Sequence, residues 1–461
     1  MKNFELLAGR EMVYGKVEQI GKWKTIFRVS FMAFLLYAVS ISECKAVPSY
    51  SRQTGLSCIA CHSTFPELNS FGRQFKLNGY TLTNIKTITA LSDSGKTKLN
   101  LLTTPSLAGM VMSSYTSLNK KLPGTQNNNI AFPEQLSLFY SGQVTPHIGT
   151  FIQITYDPQE GAIGLDNADI RYANHTQLGS KDWLYGFTLN NNPTVQDAWN
   201  TVPAWRYPYA SSGVAPSPTA ATLIEGAMDA LPQQVAGLGT YGLFNNLIYY
   251  EMSLYRSAPQ GAINPPDSTS VYTVSGVAPY WRFALQHQFS NHYIMVGTFG
   301  MSTKLYPENV TGLKDQYTDV GVDLQYEYTM PKTSFVLHSS FISENRKLNA
   351  TYDAGGADNR SSKLNSFKLD GSLYLKKDVG LTLGYFDLSG GADQTFYGTY
   401  SGKPNSNGTM MEVSFLPWYN TKFSVQYVMY NKFDGLSSNY DGSNRNASQN
   451  NTLYCLLWFS F

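Results

Sequence analysis

Residues 317–329 read YTDVGVDLQYEYT, and apolar and polar side chains alternate along them. Val320 and Val322 fall on one side of an extended chain, whereas Asp319 and Asp323 fall on the other. A period of two over about ten residues is typical of a membrane strand with one face toward lipid and one toward a polar lumen. The stretch therefore predicts a strand of a transmembrane β-barrel.

Other segments follow the same rule. The clearest are residues 135–144, 421–430 and 451–461, in which Phe461 ends the apolar face. Further strands are predicted near residues 105–116, 147–157, 163–175, 183–190, 235–244, 247–256, 279–289, 291–302, 332–343, 364–376, 379–388 and 408–416. The total is about sixteen, an even number, as bacterial single-chain barrels require. We predict an all-β membrane protein with an antiparallel, porin-like barrel over residues 105–461.

The connections between these segments alternate in length. Thr145-Pro146, Ser290-Asn291 and Lys377-Asp378 are examples of tight turns. Between the tight turns lie long stretches rich in Asn, Ser, Gly and Pro, at residues 117–133, 191–234, 257–278, 303–316, 344–363, 389–407 and 433–450. A barrel with both termini in the periplasm has short inner turns and longer outer loops. We therefore expect the alternation to hold throughout the barrel.

The composition agrees with a barrel. Charged residues make up 14% of the chain and aromatic residues another 14%, with 32 tyrosines. Soluble domains average about 25% charged residues. The net charge is only +2, and no stripe of Lys and Arg follows one face, so nothing indicates a nucleic-acid partner.

Residues 1–46 have the features of a secretory signal. Basic residues between positions 22 and 28 precede an apolar run, 29–42, that is short for a membrane helix, and Ala46 precedes a plausible cleavage site. Met12 is an alternative start, and a retained N-terminal anchor is the alternative interpretation. Residues 47–104 then form a small domain and linker ahead of the barrel.

Residues 58–62 read CIACH, which is the c-type haem attachment motif. Cys58 and Cys61 can each form a thioether to a haem vinyl group, and His62 then lies under the iron as its proximal ligand. The alternatives are a structural disulfide, a thioredoxin-like CxxC and half of a zinc site. Zinc would need a second Cys or His pair, and the βαβ context of thioredoxin is missing. The motif predicts one covalently attached haem c, with His62 as the metal ligand.

The residues around the motif resemble a known family. RQTG precedes the motif at 52–55, and PEL, FGR, FKL and GY follow it at 66–68, 71–73, 75–77 and 79–80. This pattern is similar to the N-terminal domain of the outer-membrane fused monohaem cytochrome–porins of iron-oxidising bacteria. The resemblance implies a small, mainly helical cytochrome domain and a role in extracellular electron transfer. The resemblance does not by itself identify the electron donor. For a family of iron oxidisers the leading hypothesis is extracellular Fe(II) as donor, with a soluble periplasmic c-type cytochrome or another acceptor as partner.

The sixth ligand of the iron is missing from the small domain. Residues 63–104 contain neither Met nor His, so we expect the barrel to complete the site. Alternation turns Met110 and Met112 inward, and these are the first candidates. His147, His175 and His338 have inward parity as well. Because so small a domain cannot bury a haem alone, we expect it in the lumen or at its periplasmic side.

Many other polar side chains have inward parity: Asp169, Arg171, Glu251, Asp319, Asp323, Gln325, Glu327, Lys368, Asp370 and Glu412. A polar lumen is normal for a porin, but inward carboxylates could also loosely hold hard cations such as Fe(II). No acid–base or nucleophilic constellation is present.

The leading hypothesis is an outer-membrane electron conduit that oxidises extracellular Fe(II), as an iron:cytochrome oxidoreductase would. The alternatives are a conduit for another donor, and a diffusion porin whose haem plug is structural or sensing.

Overall fold

The computed structural model describes residues 49–82, 85, 87–90, 99–158, 161–227, 230–258, 272–308 and 310–461. The predicted signal, residues 1–46, lies outside the described residues. From Val47 to Phe461 the chain forms one structural unit. No helix in the described part of the chain is long and apolar enough to cross a membrane.

The chain before the barrel consists of short helices and strands. They are α1 (Ser49–Thr54), α2 (Cys58–Cys61), β1 (His62–Thr64), β2 (Glu67–Leu68), α3 (Ser70–Leu77), β3 (Thr87–Ala90) and β4 (Leu99–Leu102). We call residues 49–82 the N-terminal segment. The Asn69 side chain caps α3 by accepting from Gly72 N. Gly79 follows the helix with a φ of +70°, a left-handed conformation that glycine adopts without strain.

Long strands follow, each preceded and followed by an antiparallel partner. They are β5 (Leu107–Leu118), β6 (Asn129–Thr145), β7 (Ile148–Asp157), β8 (Ala162–Leu178), β9 (Lys181–Asn190), β10 (Val235–Phe244), β11 (Ile248–Ser257), the two-residue β12 (Thr273–Val274), β13 (Ala278–Phe289), β14 (His292–Tyr306), β15 (Asp315–Thr329), β16 (Thr333–Lys347), β17 (Ser361–Leu375), β18 (Val379–Gly390), β19 (Ser406–Trp418), β20 (Thr421–Lys432) and β21 (Thr452–Ser460). The loops carry α4 (Asn349–Asp353), α5 (Gln394–Tyr397) and a 3-10 helix (Ala447–Asn450).

These strands form a closed barrel. Every long strand pairs with its neighbours in the chain, and the ring closes where β21 pairs with β5, with Cys455 opposite Tyr115. Apart from the short β12, which pairs beside β14, the ring has 16 strands. The predicted antiparallel barrel of about sixteen strands is therefore confirmed, although β6 and β8 are longer than their alternating segments suggested.

The two faces of the wall differ as the alternation predicted. Val320 and Val322 of β15 are 45% and 53% exposed on the outside, whereas Asp319 and Asp323 are 0% and 4% exposed. The same contrast recurs on β21, where Phe459 faces outward and Tyr454 is buried. An apolar exterior around a polar interior is the architecture of a transmembrane barrel.

The connections also follow the prediction, with one exception. Tight turns such as those at 146–147, 290–291 and 376–378 gather at one end of the barrel, which we call the short-turn end. The longer connections lie at the other, long-loop end. The expectation that the alternation holds throughout is wrong for residues 158–161, because β7 and β8 are joined at the long-loop end by a connection as short as a turn.

The connection 191–234 differs from an exposed outer loop. Trp199, Leu223 and Ile224 within it have no exposed surface. They pack against inward residues of the wall in two apolar clusters, which include Tyr249 and Phe299. We call residues 191–234 the luminal loop. Its burial means that the lumen is occupied from the long-loop side as well as by the N-terminal segment.

Candidate cofactor site

The CIACH motif occupies α2 and the start of β1, and α3 holds it from one side. Asn69 N donates to Cys61 O at 2.9 Å, and the Asn69 side chain donates to Ile59 O at 3.2 Å. Gly72 in α3 lies so close to the motif that a Cβ at this position would collide with the Cys61 carbonyl oxygen. Glycine at position 72 is therefore a requirement of this packing.

His62 lies partly buried beside the motif cysteines. Its Nδ1 atom is inaccessible to water and has no hydrogen bond of ordinary geometry among the described residues. Burial lowers the pKa of His62 to about 4, although backbone groups of Pro66 and Glu67 act in the opposite direction. The imidazole is therefore neutral near pH 7, which is the form that ligates a metal.

Cys58 and Cys61 are free thiols in this structure, as is Cys455 on β21. Burial raises the pKa of Cys58, and it raises the pKa of Cys61 to about 11. Both motif cysteines line the same cavity as His62, whereas Cys455 does not. The three motif side chains thus face one common space.

This cavity has a volume of about 630 Å³. The N-terminal segment, the barrel wall and the luminal loop all contribute to its lining, for example through His62, Phe139 and Trp205. Pockets for cofactors and other small molecules usually have about 300–1,000 Å³ and a mostly apolar lining. The cavity is large enough and apolar enough for an organic cofactor.

The structure separates the candidates for a sixth ligand. Met110 and Met112 of β5 point inward, are 4% and 3% exposed, and line the cavity together with His62. None of the three histidines considered with them lines it. Of all the predicted candidates, the two methionines share a space with the motif.

Each histidine has another position. His147 is exposed at a turn, where its Nδ1 lies 3.2 Å from Ala173 O, so its predicted inward orientation is wrong. His175 is exposed near the next turn, with its Nε2 atom 2.9 Å from Asn78 Oδ1. His338 does point inward and is buried, but its Nδ1 pairs with Asp370 at 3.1 Å.

The N-terminal segment is fixed to the wall by buried polar contacts. Arg73 forms a two-pronged ion pair with Glu327 of β15 and lies 4.0 Å from the centre of the Tyr293 ring. Tyr80 donates to Asp169 of β8 at 2.7 Å, and Asp169 also pairs with Arg171 at 2.7 Å. Arg73 of FGR and Tyr80 of GY are therefore wall contacts.

The N-terminal segment also packs closely against the backbone of β6 and β7. Gln53 donates to Ser141 O at 2.9 Å, and a Cβ at Gly142 would collide with the Gln53 side chain. A Cβ at Gly149 would likewise collide with the carbonyl oxygen of Gly79. The segment and the wall thus approach each other where the wall has no side chain.

The segment also contacts the luminal loop. Lys76 donates to Val195 O at 2.7 Å and to Asp197 O at 2.6 Å. Glu67 accepts from Tyr209 of the loop at 3.0 Å and from Tyr374 of the wall at 2.7 Å. The segment therefore lies between the wall and the loop, and all three line the cavity.

The carboxylates predicted to face inward do so, and several of them hold the luminal loop. Asp323 accepts from Thr201 of the loop and pairs with Arg282 at 2.6 Å. Asp319 accepts from Ile224 N at 3.1 Å. Among the described residues, no group of three or more His, Cys, Asp and Glu is placed to hold a metal ion. Most inward acids therefore act as acceptors for the protein itself.

Comparison with known proteins adds little beyond the fold. No protein family model and no curated protein matches the chain. Salmonella typhi OmpF in complex with daunomycin is similar in structure, with 13% identity, 81% of this chain and 100% of that chain covered and a TM-score of 0.44. The anion-selective porin from Comamonas acidovorans has 10% identity, 77% and 98% coverage and a TM-score of 0.44. The fold assignment therefore depends on the strand order and register described above.

Several cavity residues were not predicted from the sequence. Trp458 lines the cavity from β21, and its ring meets Phe65 edge to face at a centroid distance of 5.3 Å. Arg206 and Trp205 line it from the luminal loop. The parity of β21 could have identified Trp458, because Phe459 beside it faces lipid. Nothing local in the loop sequence indicates that Arg206 faces a cavity.

Proposed function

We propose that this chain is an outer-membrane electron-transfer protein that carries one covalently attached c-type haem in the barrel lumen. The observation that carries the proposal is that Cys58, Cys61 and His62 line one cavity with Met110 and Met112. Thiols for covalent attachment, a neutral imidazole and a thioether sulfur are the groups that a monohaem cytochrome requires. The size and the largely apolar lining of the cavity fit such a group.

Each residue has a defined task in this proposal. Cys58 and Cys61 would form the thioethers, and His62 would ligate the iron. Met110 or Met112 would supply a further ligand, and Gly72 lets α3 pack against the motif. When bound, the haem supplies a one-electron carrier. The luminal loop and the wall would shield part of it from water, which affects its potential.

The position of the segment supports transfer across a membrane. A hydrocarbon core is about 30 Å thick, which is too wide for a single tunnelling step between donor and acceptor. The cavity lies inside the barrel, so a haem bound there would replace one long tunnelling step with two shorter steps. The short-turn end then faces the periplasm and the long-loop end faces outward.

The proposed substrate is the one expected for a family of iron oxidisers. Extracellular Fe(II) gives up one electron and becomes Fe(III), and a soluble periplasmic c-type cytochrome takes up the electron. Oxidation at the outer face keeps the Fe(III) product, which precipitates near neutral pH, outside the envelope.

Two measurements test the proposal. Purified protein should keep peroxidase-stainable haem after denaturation, and stopped-flow mixing with Fe(II) should reduce that haem. Absence of stain would refute the haem. Stain without reduction by Fe(II), but with reduction by another donor, would refute only the substrate. Stain together with wide ion conductance in planar bilayers and no reduction by any donor would favour a diffusion porin with a structural or sensing haem plug.

A further inference from the structure

Arg206 and Trp458 line the cavity, and each has a buried donor nitrogen without an acceptor. Arg206 Nη1 and Trp458 Nε1 are both inaccessible to water, and neither has a partner among the described residues. An unsatisfied buried donor destabilises the folded protein, and more so if it is charged. Such donors are rare in native proteins and call for an explanation. A ligand with acceptor oxygens inside the cavity would satisfy both.

Arg206 is held in one orientation. Its side chain is 9% exposed, and its Nη2 pairs with Glu225, another residue of the luminal loop. Glu225 is fixed in turn, because it accepts from Ala221 N at 2.7 Å and from Ser366 of the wall at 3.0 Å. Burial alone would raise the pKa of Glu225, but Arg206, Lys368 and the Ala221 N–H lower it to about 2. The pair is therefore ionised, and the Nη1 edge of Arg206 is free.

One side of the Arg206 guanidinium is left for an anion. Its Nη2 atom is paired with Glu225, whereas its Nη1 atom has no acceptor among the described residues. A carboxylate that accepts from Nη1 would form a charge-assisted hydrogen bond.

Trp458 lies beside the methionines. Its ring packs against the apolar cluster of Met110, Met112 and Tyr454. The indole N–H makes no hydrogen bond to the described residues. A second tryptophan of the cavity provides a contrast, because Trp205 Nε1 donates to Val195 O at 2.8 Å. The cavity thus contains one tryptophan whose donor is used by the protein and one whose donor is not.

We propose that Arg206 Nη1 and Trp458 Nε1 bind the carboxylate side chains of the porphyrin. This inference rests on the proposed haem and adds two binding residues outside the CIACH motif. Arg206 comes from the luminal loop and Trp458 from the last strand, so the cofactor would link three parts of the chain. Neutralisation of a carboxylate by Arg206 also favours the ferrous form, because that form has one positive charge less at the iron.

The test is the midpoint potential of the full-length protein in detergent, together with the peroxidase stain. Arg206→Gln should keep the stain, because Cys58 and Cys61 make the covalent bonds. It should shift the equilibrium toward ferric iron by about tenfold, which is about 59 mV for a one-electron couple. Trp458→Phe, which removes the N–H but keeps most of the ring, should shift it in the same direction by a smaller factor. Arg206→Lys keeps the charge and should restore most of the potential.

Two matched variants serve as controls. Trp183→Phe changes a tryptophan of β9 that does not line the cavity, and Arg360→Gln removes a charge from an exposed pair with Asp353. Both should keep the wild-type potential. Wild-type potentials in Arg206→Gln and Trp458→Phe, with the stain intact, would overturn this inference and leave the proposed haem standing. An unstained wild-type protein would instead overturn the proposed function and this inference with it.

Discussion

Arg73 of the N-terminal segment and Glu327 of β15 form a buried ion pair in which two guanidinium nitrogens meet the two carboxylate oxygens, one of them at 3.2 Å. Their side chains are 3% and 8% exposed. A pair of this kind joins residues far apart in the chain and fixes the segment inside the lumen. Removal of one partner leaves the other charge buried and uncompensated.

We therefore expect Arg73→Gln to weaken the attachment of the segment by about 3–5 kcal/mol. Limited proteolysis of the folded barrel measures this, and cleavage within residues 49–82 should become at least about a hundredfold faster. Replacing both Arg73 and Glu327 by Met should restore much of the protection. Arg360→Gln, which breaks an exposed pair, should change cleavage little, since such pairs contribute about 0–1 kcal/mol. Equal cleavage of Arg73→Gln and wild type would contradict this account.

Covalent attachment should depend on two of the three free cysteines in the part of the chain that the structure describes. Cys58→Ala combined with Cys61→Ala should abolish the peroxidase stain of denatured protein, because the thioethers alone survive denaturation. Cys455→Ala is the matched control and should stain like wild type, since Cys455 does not line the cavity. Persistent stain in the double variant would refute the motif interpretation.

One of the two cavity methionines should determine the spin state of the iron. Met110→Leu or Met112→Leu should change the optical spectrum from low-spin toward high-spin and lower the midpoint potential, because loss of a thioether ligand stabilises the ferric form. His147→Ala should have the wild-type spectrum, because His147 is exposed at a turn. If the double methionine variant also has the wild-type spectrum, neither residue is the ligand.

Gly72 offers a test of the packing around the motif. Gly72→Ala places a Cβ against the Cys61 carbonyl oxygen, and the backbone on one side must move. Overpacking of this kind typically costs about 1–3 kcal/mol. We expect a lower yield of stained protein per folded barrel. Gly164→Ala, where no atom lies within 4 Å of the added Cβ, should give the wild-type yield.

The barrel was predictable because its signal is local. Residues 317–329 alternate with a period of two, and each strand pairs with its neighbour in the chain, so neither the faces nor the topology requires long-range information. Parity also identified Met110 and Met112 as inward residues. Parity gave the wrong orientation for His147, because this residue lies in a turn, where side chains no longer alternate between two faces.

The fold of the luminal loop could not be predicted in this way. Residues 191–234 have the Asn, Pro, Ser and Gly composition of an outer loop, yet Trp199 and Leu223 have no exposed surface. Their burial depends on acceptors such as Asp319 and Asp323, which lie 95 and 122 residues after the loop residues that donate to them. Arg206 lines the cavity because the whole loop is held in the lumen by such distant contacts. No local sequence pattern can predict contacts of this kind.

The N-terminal segment and the luminal loop occupy the lumen from opposite ends, which has a consequence for electroneutrality. An ordinary porin lets an ion and its counter-ion pass together. If electrons cross this barrel toward the periplasm, their charge must be balanced by ions. Those ions cannot pass through a wide water-filled channel in the same barrel, because the segment and the loop occupy its lumen. The negative charge delivered to the periplasm then has to be balanced by cations that enter, or anions that leave, through other proteins of the same membrane. In the proposed conduit, the rate of electron flow would thereby be coupled to the ion permeability of the neighbouring proteins.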